Sequence, residues 1–105
     1  MPEFPVIENI HQKIFEAVTN PNQKLEMGDW HTCDTTHCRA GWVVHLAGKA
    51  GYELEAFTST EFAAKQIYNA SSKIPVSPVR FYEGNEKAMA DIVRCAELEK
   101  QSITQ

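Results

Sequence analysis

The chain has 105 residues, 43% of them hydrophobic and 23% charged, with a formal net charge of -4. That balance excludes wholesale disorder and suits a single helical domain over residues 1–105. A chain of this size buries roughly 65% of its unfolded surface without an obligatory metal or disulfide. The ten Lys and Arg are scattered rather than clustered, so no nucleic-acid partner is expected.

No apolar stretch reaches the roughly 20 residues that span a bilayer, so no membrane partner is expected either. Met1 to Phe15 carries Glu3 and Glu8 and lacks a basic start followed by an apolar core, unlike a secretory signal. A cytoplasmic location with reduced thiols is the expectation, and the odd count of three cysteines agrees with it.

In chain order, Val6, Ile7, Ile10, Ile14, Ala17 and Val18 recur at three- and four-residue intervals and predict a first helix from about Pro5 to Thr19. Pro5 suits a first helical turn, and Asn20-Pro21-Asn22 ends the helix. Leu25 and Met27 then alternate with Lys24 and Glu26, which predicts a short extended segment. Thr35 or Thr36 is the expected N-cap of a second, central helix. It runs through Cys38, Trp42, Val43, Val44, Leu46 and Ala47 to Gly48 or Gly51. Gly41 within it costs about 1 kcal/mol relative to Ala, which implies a close approach by another backbone. Thr58 and Glu61 form a capping box for a third helix through Phe62, Ala63, Ile67 and Tyr68 to about Ala70.

Ser71 to Pro78 reads as a loop with two prolines, and Gly84-Asn85 introduces a last helix that turns Met89, Ile92, Val93 and Ala96 to the core. The last five residues should fray. The predicted fold is therefore mainly α: a compact bundle of about four helices, with a short extended segment before the central one.

The chemistry-bearing residues crowd into one run, Trp30 to Trp42, which holds two of three cysteines, two of four histidines and both tryptophans. His31, Cys33, His37 and Cys38 are the residue types that tetrahedral zinc selects, although a second close ligand pair is missing. Cys38, near a helix start, is a candidate nucleophile, because the helix dipole lowers a thiol's pKa there and Arg39 and His37 add to that effect. A Cys33–Cys38 disulfide can close but lacks the Cys-x-x-Cys spacing of thioredoxin-like redox proteins. The remaining reading is packing: the cysteines are small buried groups, Asp34, Thr35 and Thr36 bond the helix start, and the tryptophans fill the core.

Two resemblances bear on this run. Cys38 followed by Val43-Val44-His45-Leu46-Ala47-Gly48 resembles a transglutaminase-like core over about a dozen residues. Such enzymes use a downstream His, and no histidine follows His45. Cys33-Asp34-Thr35-Thr36-His37-Cys38-Arg39-Ala40-Gly41-Trp42 resembles a Cys-x-Thr-x-x-Cys-x-Ala-Gly-Trp segment of small uncharacterised bacterial and phage proteins, with Asp34 in place of an expected Gly. Phe81 to Ile92 resembles a segment that accompanies it. The resemblance implies a compact helical module of phage or prophage origin and transfers no activity. The leading expectation is a non-enzymatic intracellular module that binds another protein or copies of itself. The alternative is a zinc-binding or cysteine-dependent protein centred on Cys38.

Overall fold

The computed structural model describes residues 3–103. The described elements are helices α1 (Ile10–Thr19), α2 (Arg39–Leu46), α3 (Gly48–Phe57), α4 (Thr60–Ser71) and α5 (Asn85–Ile103), three short strands, and a 3-10 turn over Pro78–Tyr82. The mainly helical expectation holds, with one more helix and two more strands than expected.

Helix α1 starts at Ile10, later than the Pro5 expected. The residues before it form no helix and end in a turn, and Ile7 donates its N–H to Ser71 Oγ at the end of α4. Asn9 then turns the chain through a left-handed conformation (φ 56), which asparagine tolerates better than most residues. Asn9 offers no side-chain cap. Glu99 of α5 caps the helix instead, taking the N–H groups of His11 and Gln12 at 3.1 and 2.9 Å. A carboxylate there also suits the positive end of the helix dipole. Ile10, Ile14, Ala17 and Val18 are buried as their spacing predicts, whereas Val6 is 68% exposed because it precedes the helix.

Strands β1 (Lys24–Leu25), β2 (His31–Cys33) and β3 (Thr36–His37) form a small sheet in the order β1-β3-β2. β1 pairs with β3 in parallel, and β2 folds back on β3 as an antiparallel hairpin with an irregular register between His31 and Cys33. Thr36 thus belongs to a strand, and neither Thr35 nor Thr36 is the expected N-cap of the central helix. That cap is Cys38, whose sulfur accepts the Gly41 N–H at 3.2 Å. Trp42 is fully buried, and its indole N–H reaches back to the Lys24 carbonyl at 2.8 Å, fixing the sheet to α2.

The long central helix expected to reach Gly48 or Gly51 is two helices. Gly48 has φ +67, a left-handed conformation that breaks the run between α2 and α3. α4 begins one residue later than the expected capping box, with Ser59 Oγ accepting the Phe62 N–H at 3.0 Å. α5 carries Ile92, Cys95 and Ala96 into the core, but Val93 is 38% exposed rather than buried.

A buried polar knot locks α2, α4 and α5 together. Arg39 is fully buried; it donates to Asp91 Oδ2 of α5 at 2.6 Å and to the Tyr68 hydroxyl of α4 at 3.1 Å. Arg94 and Arg80 approach the second Asp91 oxygen at 2.8 and 3.6 Å. Burial pushes the Asp91 carboxyl up, but the hydrogen bonds and charges of Arg39 and Arg94 outweigh it and hold the group below its ordinary range.

Candidate functional site

The β2–β3 hairpin delivers its two histidines to one point. The register sets His31 opposite His37, and their Nδ1 atoms lie 2.7 Å apart. His37 is buried beneath the hairpin, its ring 4.6 Å from Trp42 and stacked 4.5 Å from His45 of α2. His31 is partly exposed and faces α3, where its Nε2 meets Glu55 Oε2 at 2.7 Å. Thr60 at the start of α4 donates its hydroxyl to the same Glu55 oxygen at 2.8 Å. Tyr52, one helical turn before Glu55, pairs its hydroxyl with His45 Nδ1 at 2.8 Å.

The partners assign the ring protons. His37 Nε2 lies 3.0 Å from the Asp34 carbonyl, an oxygen that only accepts, so Nε2 carries the hydrogen. Neutral His37 then holds a lone pair on Nδ1. Burial, joined by the neighbouring His45 and His31, keeps its pKa below the ordinary histidine value, although the Asp34 carbonyl pulls the other way. His31 Nε2 faces a carboxylate and likewise carries a hydrogen, which leaves its neutral form with a lone pair on Nδ1. The two Nδ1 atoms are at hydrogen-bond distance, 2.7 Å, and that bond requires a hydrogen on one of them.

The four residues picked out as zinc ligands are not gathered into one set. His31 and His37 meet, but Cys33 is exposed at the far end of β2, with Sγ 3.5 Å from Thr35 Oγ1. Cys38 is buried (1% exposed) with its sulfur committed to the α2 cap. Among the described residues, no group of three or more His, Cys, Asp or Glu is arranged to hold a metal ion. The cysteines at 33, 38 and 95 are all free thiols. Burial pushes the Cys38 thiol up, against the lowering expected from the helix start. The exposed Cys33 thiol is the lowered one, through hydrogen bonds from Thr35 and Thr36.

Glu55, Tyr52 and Thr60 join the cluster without having stood out in the sequence. The only trace of them is spacing: Tyr52 and Glu55 lie three apart and share one face of α3.

A second feature lies where residues 26–30 face the 3-10 turn. Trp30 packs edge-on against Tyr82 with ring centroids 5.8 Å apart. A slot of about 250 Å³ opens there, walled by Met27, Trp30, Phe81 and Tyr82, with Asp29 at its lip. Tyr82 is 66% exposed and neighbouring Val79 is 74% exposed. The Tyr82 hydroxyl is held by the Glu61 carboxylate.

No protein family, curated protein or solved structure matches this chain.

Proposed function

We propose that the chain is a small non-enzymatic module that works inside the cell by binding another protein. The observation that carries this reading is the aromatic pair Trp30 and Tyr82 at the slot, with Tyr82 and Val79 of the same 3-10 turn exposed to solvent. Trp and Tyr are enriched at the energetic centres of protein interfaces, where a large ring and a polar tip serve together. The slot is sized for one apolar side chain rather than a cofactor. Asp29 at its lip, Glu61 beside Tyr82 and the net charge of -4 favour a partner with basic residues flanking that apolar anchor.

The resemblance of residues 33–42 would add a phage or prophage origin to this reading. The alternative centred on Cys38 draws less support, since its buried sulfur already serves the helix cap. The test is affinity purification from the native host with the wild-type chain and a Tyr82→Ser, Val79→Ser double variant. A protein retained by the first and lost by the second, at unchanged Tm and with retention weakened by salt, is the expected result. Equal retention by both overturns the reading. A concentration-dependent mass that the double variant abolishes would make the partner a second copy.

A further inference from the structure

We infer that the base of the β2–β3 hairpin is a proton-operated latch. One extra proton, carried by His31 between His37 and Glu55, holds β2 against α3, and its loss releases the strand. The latch goes beyond the protein-binding reading and does not rest on it.

The supply of hydrogens carries it. Three contacts join the group end to end: the Asp34 carbonyl to His37 Nε2 at 3.0 Å, His37 Nδ1 to His31 Nδ1 at 2.7 Å, and His31 Nε2 to Glu55 Oε2 at 2.7 Å. Each needs one hydrogen. The Asp34 oxygen and the Glu55 carboxylate only accept, and a neutral imidazole brings a single hydrogen. Two neutral rings therefore supply two hydrogens for three bonds. One further proton completes the chain, and an ordinary imidazole binds it more tightly than an ordinary carboxylate. Of the two rings His31 takes it. Its side chain is partly exposed and bonded to the Glu55 carboxylate, whereas burial and the neighbouring rings hold the His37 pKa down.

The groups around His31 come from each element packed on it. Glu55 lies on α3 and is oriented by the Thr60 hydroxyl of α4, which donates to the same oxygen. The Tyr52 ring, also on α3, lies 5.5 Å from that of His31, and its hydroxyl bonds His45 Nδ1 of α2, a contact that a neutral His45 satisfies by accepting. β2 depends on the latch. Of its three residues His31 alone is partly buried, Thr32 and Cys33 being exposed, and its register with β3 is irregular. Without the extra proton one of the two His31 bonds has no hydrogen, and the ring holds only His37 or only Glu55. The latch thus closes as the pH falls through the histidine range and opens as it rises. That sign is opposite to the one at His37, whose burial resists a proton.

The experiment follows the ring nitrogens by NMR and the hairpin amides by hydrogen exchange, on the full chain from about pH 5 to 8. Expected at the acid end are hydrogens on both His31 nitrogens and a coupling between the facing Nδ1 atoms. As His31 loses its proton, protection of the hairpin amides should fall at least about tenfold beyond the intrinsic effect of pH, while α2 keeps its own. Glu55→Gln separates a proton latch from simple packing. Its amide can donate to His31 Nε2, so a neutral ring satisfies both contacts and the hairpin stays protected across the range. Glu55→Ala should leave the hairpin weakly protected throughout. A His31 with one ring hydrogen at the acid end, a proton on Glu55 instead, or hairpin protection that ignores the His31 titration overturns the latch. So does a Glu55→Gln chain that keeps the wild-type pH step.

Discussion

Gly41 sits directly beneath the carbonyl of Trp30, so close that a Cβ on Gly41 would overlap that oxygen. The same carbonyl accepts the Cys38 N–H at 3.2 Å, so it cannot swing away without uncoupling the hairpin from the start of α2. Alanine at this position gains about 1 kcal/mol of helix propensity. Overpacking against fixed backbone costs about 1–3 kcal/mol and occasionally more, and here it exceeds that gain. Gly41→Ala should therefore lower the urea midpoint clearly, with a Tm loss of several degrees. Gly84→Ala, where a Cβ meets open space, is the control: it loses only what a poorer cap of α5 costs and should be hurt less than Gly41→Ala. A Gly41→Ala chain as stable as wild type would contradict the close approach.

Much of this packing was legible beforehand because periodicity records burial. Ile10, Ile14, Ala17 and Val18 declared their face, and Gly41 declared a backbone contact, although the backbone turned out to be the lead-in to a strand. The hairpin was not legible. Strands of two and three residues are too short to show alternation, and Thr35 and Thr36 suit a turn as well as a helix cap. The break at Gly48 was equally hidden, since apolar residues continue on both sides of it. Of the candidate site, the two histidines could be read from the sequence. Their partner Glu55 could not, because a carboxylate on an amphipathic helix reads as solvated until the tertiary fold brings a ring to it.

Arg39 and Asp91 give a prediction about acid and about substitution. Removing one member of a buried ion pair strands the other, and such losses run at about 3–5 kcal/mol. Asp91→Ala should be destabilised on that scale, whereas an Arg39→Met, Asp91→Leu double variant should recover most of it, as measured by denaturant unfolding. Asp91 has a folded pKa below its unfolded value, so its contribution is complete above about 4. It is lost as the pH falls through the lower folded value. Wild-type stability should thus drop in that acid range, and the double variant should drop less. An unchanged acid limb would show that other carboxylates dominate it.

His11 sets a second pH dependence of opposite chemistry. It is buried, stacked 5.3 Å from Tyr68, and its Nε2 has no hydrogen-bond partner. Burial lowers its pKa, and Glu99, Asp91 and the Ile74 backbone offset this without reversing it, while Arg39 adds to it. The unfolded chain therefore binds this proton more readily than the folded one. Stability falls as the pH drops below about 6.5 toward the lower folded value. His37 acts in the same sense. His11→Phe keeps a ring against Tyr68 and removes the unpaired nitrogen, so the decline between pH 6.5 and 5 should become shallower without vanishing. Chemical denaturation across that range would read it; parallel curves for the two proteins would refute it.

The thiols separate by burial, and that gives the most direct check of the site's geometry. Cys33 is exposed, and hydrogen bonds from Thr35 and Thr36 lower its pKa, while Cys38 and Cys95 are buried with theirs raised. The thiolate is the alkylated form, so at neutral pH iodoacetamide should modify Cys33 first and leave the other two until the chain unfolds. Thr35→Ala removes the largest contribution to the lowering and should slow Cys33 alone. Peptide mapping after brief labelling distinguishes the three. Labelling of Cys38 ahead of Cys33 would mean that the start of α2 opens readily, and the packed hairpin base would have to be redrawn.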